Sequence, residues 1–187
     1  LNDPATSDGS AGPGGRTTTA RDDVPWLDAQ EQAAWRAYMD MRDEVTLRLE
    51  RDLQARSGLS GADYQVLVHL SESTDDRARP VDLCADLRWE QSRLSHQLTR
   101  MEKRGLVERR ACEEDGRGSI VALTPEGRTA IEEAAPGHVR TLRALLVDVI
   151  GRDGMLQLGA LAQQVLDALP DTDGGPRSGR RSGRPLR

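Results

Sequence analysis

The chain has 187 residues, of which 36% are apolar, 30% charged and only 3% aromatic, with no Phe and a formal net charge of −5. That length allows one well-buried domain with loose ends, and a core of Leu, Val, Ala and Met suits helices better than a sheet sandwich. A membrane span is excluded, because the longest apolar run, Ala144 to Ile150, is interrupted by Asp148.

Residues 1–23 are rich in Gly, Ser, Thr and Pro; with so little apolar surface they are expected to stay disordered, and no secretion-signal pattern is read in them. A compact unit is expected over 24–170. Its first helix, about 28–56, sets Trp35, Tyr38, Met41, Val45 and Leu49 at three- and four-residue steps, and Gly58 stops it. A second helix, about 61–71, takes Ser60 as N-cap and lines Tyr64, Leu67 and Leu70 along one side. A polar loop, Glu72 to Arg79, leads to Pro80, which suits a first helical turn. The short third helix, 81–87, turns Leu83, Cys84 and Leu87 inward.

The next segment, Trp89 to Val107, carries the functional reading. Leu94, Leu98 and Met101 make a narrow apolar stripe, and Gly105 ends the helix. Its polar side chains are Gln91, Ser92, Ser95, His96, Gln97 and Thr99, with Arg93 and Arg100 at the flanks. Side chains of these types match the donors and acceptors of base edges in a major groove, and nearby arginines contact phosphate. The acidic total does not oppose this, because the charges segregate: ten acids face five bases from Asp22 to Asp63, but eight bases face six acids from Arg88 to Arg117. Strands at 107–111 and 119–123 then flank a polar tip, Cys112 to Gly118. The fold expected is mainly α with a small β-wing, a winged helix-turn-helix with its reading head over 58–123.

Thr124 opens a long helix carrying Leu142, Leu145, Leu146, Val149 and Ile150, with a kink expected at Pro136. Beyond Gly151 and Gly154 a last helix bears Leu158, Leu161, Ala162, Val165, Leu166 and Leu169. With the first helix, this is more apolar surface than the reading head covers. An interlocked homodimer through helices at 28–56 and 124–169 is therefore expected. A two-fold dimer in turn expects a near-palindromic double-stranded operator with half-sites roughly ten base pairs apart. Residues 171–187, rich in Gly, Ser and Arg, read as a solvated, disordered tail.

Two blocks, Leu98-x-x-Met101-Glu102-x-Arg104-Gly105-Leu106-Val107 and Asp115-x-Arg117 followed by Leu123-Thr124-x-x-Gly127, resemble the MarR (multiple-antibiotic-resistance regulator) family. The likeness extends more loosely from Trp26 to Leu169. It implies a dimeric bacterial transcription regulator, commonly a repressor of nearby genes, released by a small aromatic or phenolic acid. It also implies that Arg117 enters the minor groove from the wing, braced by Asp115; a narrow groove concentrates the negative potential that favours arginine there. Gly116, Glu90 and Trp89 depart from the family pattern. For the effector, Trp35, Tyr38 and Arg42 share one helical side and offer stacking and a cation; the competing reading makes Trp35 and Tyr38 dimer core.

Rival functions find less support. Gly12-Pro13-Gly14-Gly15 has no preceding strand and is no phosphate loop. His69, His96 and His138 lack a nucleophile or metal-ligand neighbour at usable spacing, so no catalysis, metal or cofactor is expected. The two cysteines make no disulfide framework, consistent with the cytoplasm. A thiol-based redox regulator is disfavoured: Cys84 reads as a small inward filler, and acids flank Cys112. Peroxide-sensing relatives also carry a cysteine in the first helix, where this chain has none. A protein-interaction dimer without DNA binding remains an alternative.

Overall fold

The computed structural model describes residues 24–111 and 119–170. The chain divides into two compact units, residues 1–40 and 41–187. In the first, helix α1 (Ala29–Ser57) begins at a reciprocal cap. The Asp28 carboxylate accepts from the backbone N–H groups of Gln30 (2.7 Å) and Glu31 (2.8 Å), and the Glu31 carboxylate accepts from Asp28 N–H at 2.8 Å. Each satisfies an amide that a helix start leaves orphaned. Trp35 and Tyr38, one turn apart, touch with ring centroids 5.7 Å apart.

The second unit takes α1 onward from Met41, followed by α2 (Gly61–Glu72), a tight turn at Thr74–Asp76, β1 (Arg77–Ala78) and α3 (Pro80–Leu87). Then come α4 (Gln91–Lys103), β2 (Val107–Ala111), β3 (Ser119–Leu123), α5 (Pro125–Leu142), a π-helical turn at Arg143–Val147 and α6 (Asp148–Ala168). Both expected wing strands are present with their expected bounds. They pair antiparallel in the register Val107–Leu123, Arg109–Val121, Ala111–Ser119. The polar loop expected before Pro80 holds a short strand as well: β1 pairs with β3, Arg77 opposite Ala122, giving a three-stranded sheet in the order β1-β3-β2. Arg128 of α5 pins the preceding turn through an ion pair with Asp76.

The core gathers Leu59, Val66, Leu67 and Leu70, then Leu83 of α3, Leu94, Leu98 and Met101 of α4, Val121 of β3 and Ile131 of α5. Leu67, Leu70, Leu83, Leu94, Leu98 and Met101 are stripe positions read from the sequence, and Leu59, Val66, Val121 and Ile131 close on them. Pro136 lies inside α5 without ending it, so the expected irregularity falls further along, at the π-helical turn and at Gly151 (φ 74). The last stretch behaves differently. No residue of α6 is buried, and Val149, Ile150, Leu156, Leu161 and Val165 stand in solvent.

Candidate nucleic-acid interface

Helix α4 is set by the turn before it. Arg88 adopts a left-handed conformation (φ 53) after α3, and Trp89 N–H donates to the Cys84 carbonyl at 3.0 Å. This buries the Trp89 ring beneath the start of α4, where the Arg93 guanidinium lies 4.3 Å above its centre. A cation over an indole face is attracted by the ring quadrupole, so Arg93 is held ready at the edge of the helix. The aromatic residue that departs from the family pattern thus serves as a platform.

Of the side chains expected to read DNA, Gln91, Ser92, Arg93, Ser95, His96, Thr99 and Arg100 are all exposed along α4. The Thr99 hydroxyl donates to the Ser95 carbonyl one turn back, at 3.0 Å. Gln97 is a correction. It is 2% exposed and faces the core, its amide donating to Asp63 at 2.7 Å while its carbonyl accepts from Arg100. A side chain so enclosed cannot reach a base edge. Arg117 and Asp115, the expected wing contacts, lie outside the described residues.

Asp63 is the centre of the arrangement that Gln97 joins. It closes a capping box with Ser60 at the start of α2, accepting from Ser60 N–H at 2.9 Å. The same carboxylate takes Gln97 on one oxygen and the Arg104 guanidinium on the other, each at 2.7 Å. Arg104 also donates to the Gly58 carbonyl at 2.9 Å. A buried carboxylate is tolerated when its lone pairs are filled this way. The result ties the N-terminus of α2 to both the middle and the end of α4. On the wing side, Arg109 of β2 donates to the Ser95 carbonyl (3.2 Å) and pairs with Glu102 (3.5 Å).

The family-like residues after α4 form a joint. Gly105 turns with φ 71, the Thr124 hydroxyl donates to its carbonyl at 2.6 Å, and Gly127 N–H donates back to that hydroxyl at 2.9 Å. A Cβ on Gly127 would lie 2.0 Å from the Leu106 carbonyl oxygen. Only glycine permits α5 to start against this turn.

A cavity of about 500 Å³ opens beside the reading head, lined from α1 (Thr46, Leu49, Glu50), α2 (Gly61, Tyr64, Gln65, Val68), α3 (Asp86, Leu87) and α5 (His138). Trp35, Tyr38 and Arg42, expected to hold an effector, are not among its lining residues. Arg42 is exposed and spends its guanidinium on Asp43 at 2.8 Å. Burial against the Tyr64 ring, 4.3 Å away, pushes the His138 imidazole below its ordinary value, with Asp52 opposing. Burial, then Glu90, pushes the Cys84 thiol up, which leaves less thiolate for redox chemistry; Cys112 lies outside the described residues. Among the described residues no group of three metal-ligating side chains occurs, and no helix is long and apolar enough to cross a membrane.

A short helix packed on a longer polar one, followed by an antiparallel ribbon, defines a winged helix-turn-helix protein. Residues 57–118 match the model of the MarR family. The chain is 39% identical to AbsC, a MarR family transcriptional regulator from Streptomyces coelicolor, with a TM-score of 0.74, covering 77% of this chain and 97% of that one. It is 35% identical to Sco3205, a MarR family regulator of the same organism solved in complex with DNA (TM-score 0.74; 79% and 96% covered). It also shares 26% identity over 120 residues with the transcriptional repressor YetL of Bacillus subtilis, spanning 64% of this chain and 71% of that protein. The chain therefore belongs to the MarR family of transcriptional regulators, which are DNA-binding proteins rather than enzymes.

Proposed function

We propose that the chain acts as a cytoplasmic homodimer that binds a near-palindromic double-stranded operator, represses nearby genes and is released when a small molecule fills the cavity. The observation that carries this reading is the outer face of α4. Gln91, Ser92, Arg93, Ser95, His96, Thr99 and Arg100 are exposed on a helix whose inner side is locked to α2 through Asp63. Base edges are read by polar side chains on a rigid mount, and Arg93 arrives already aimed by Trp89. Arg117 is proposed to enter the minor groove from the wing, with Asp115 as its brace. The dimer reading rests on the solvent-facing Leu156, Leu161 and Val165 of α6, an apolar row that a lone chain leaves wet.

Titration of the purified protein against the intergenic DNA beside its gene, with fluorescence anisotropy as the readout, tests the reading. Saturable binding with two protomers per inverted repeat, weakening steeply as salt rises, is the expected result. Arg93→Ala and Arg117→Ala should each lower operator affinity. A protein-interaction dimer would instead ignore DNA at low ionic strength and keep its association unchanged in both variants.

A further inference from the structure

The cavity beside the reading head has a charge pattern that opposes an acidic effector. Among the described residues two carboxylates line it, Glu50 and Asp86, and no Lys or Arg does. Asp86 is shared with His69 at 3.0 Å. The Glu50 carboxylate lies over Gly61, so close that a Cβ there would sit 3.0 Å from its Oε1. Gly61 is the first residue of α2, so the Glu50 carboxylate sits at the positive end of that helix dipole. Between these charges the walls carry Leu49, Val68, Leu87 and the Tyr64 ring packed against His138, with the neutral Thr46 and Gln65. The imidazole Nδ1 of His138 is buried and finds no hydrogen-bond partner among the described residues.

We propose that this cavity binds a small aromatic amine in its protonated form, the ring between Tyr64 and the aliphatic wall and the ammonium directed at Glu50. This rests on the reading of the chain as a regulator controlled by a small molecule, and it narrows the class of that molecule. The volume is that of a site for small organic ligands, which are typically held by apolar walls and a few placed polar groups. An ammonium close to a carboxylate and an aromatic face is stabilised by both. A ligand carboxylate meets like charge instead, with no cation in the lining to answer it.

The test is calorimetric titration of the full-length protein, without DNA, with three probes of one shape: 2-naphthylmethylamine, 2-naphthol and 2-naphthoic acid. The amine is expected to bind at least tenfold tighter than the acid, with the neutral phenol between them. Glu50→Gln should shrink that gap severalfold, and Glu50→Arg should reverse it, while circular-dichroism melting shows both variants folded. Equal or tighter binding of the acid to the unmodified protein, binding of none of the probes, or an amine affinity that Glu50→Arg leaves unmoved would overturn the proposal. A parallel operator titration separates the two readings. If the amine binds but the operator stays bound, control by the ligand fails and the ligand class stands; if no operator is bound at all, the regulator reading fails independently of the calorimetry.

Discussion

Helices α4 and α6 each carry a row of apolar side chains at helical spacing, yet the fold treats them in opposite ways. In α4 the row Leu94, Leu98 and Met101 is sunk in the core of its own chain and the polar face looks out. In α6 nothing is buried, and Leu156, Leu161 and Val165 look out. The amphipathic pattern alone does not say what a helix face is for. What distinguishes the two is whether the rest of the chain supplies a cover. Where it does, the polar side is left facing outward, the face proposed to read DNA; where it does not, the apolar side itself is left uncovered, the face proposed as the dimer contact.

The sharpest way to break this comparison is to damage the same kind of residue in both helices. Leu98→Ala should cost about 2–5 kcal/mol of folding stability, because a fully buried leucine leaves a cavity. Denaturant unfolding should show that loss equally at every protein concentration. Leu161→Asp should leave the fold of one protomer intact and weaken self-association by about 1.5–3 kcal/mol, the scale of one buried leucine. Sedimentation should show monomer appearing on dilution, and the melting temperature should become more dependent on concentration. If both variants behaved alike, the contrast between the helices would be wrong.

Smaller effects sharpen it. Asp63→Ala strands Gln97 and Arg104 and should cost roughly 1–3 kcal/mol of stability. It should lower operator affinity even though residue 63 does not touch DNA. Arg93→Ala should cost about 1–3 kcal/mol of operator affinity with unfolding unchanged, read by anisotropy. The least effect comes from pH. The folded-state value of His138 is depressed, so the unfolded chain holds more protons in the window below the ordinary value of 6.5. Stability should therefore be full above that value and fall as pH drops through it, and His138→Gln should flatten this limb in denaturant titrations. Asp52, lowered by its bonds from Arg56 and then Thr141, adds a second loss of the same sign at more acid pH.

Much of the fold was legible because its signals are local. The apolar stripe of α4, the N-cap at Ser60 and the two strands of the wing each declare themselves within a dozen residues. The two-residue strand β1 has no room for a period, and its pairing with β3 is a tertiary event. Gln97 was misassigned to the reading face by its residue type, yet its position told otherwise: it lies three residues after Leu94 and four before Met101, on the inner stripe. Asp63 escaped notice because its two partners beyond the cap come from more than thirty residues away. The cavity draws one or a few residues from each of four helices, and no spacing in one segment announces such a set. Trp35, Tyr38 and Arg42 stood out instead because they share one side of a single helix, which a local spacing can show.

The glycine at position 127 has a mechanical consequence. Because the backbone of α5 presses on the Leu106 carbonyl with no side chain between them, and Thr124 is bonded to the preceding residue, α5 and the end of α4 meet without slack. Close-packed contacts of this kind transmit displacement rather than absorb it. The far part of α5 carries His138 into the cavity wall, so under the proposed control by a small molecule a ligand that rotated that helix would tilt the end of α4, the two ends moving as arms of one lever.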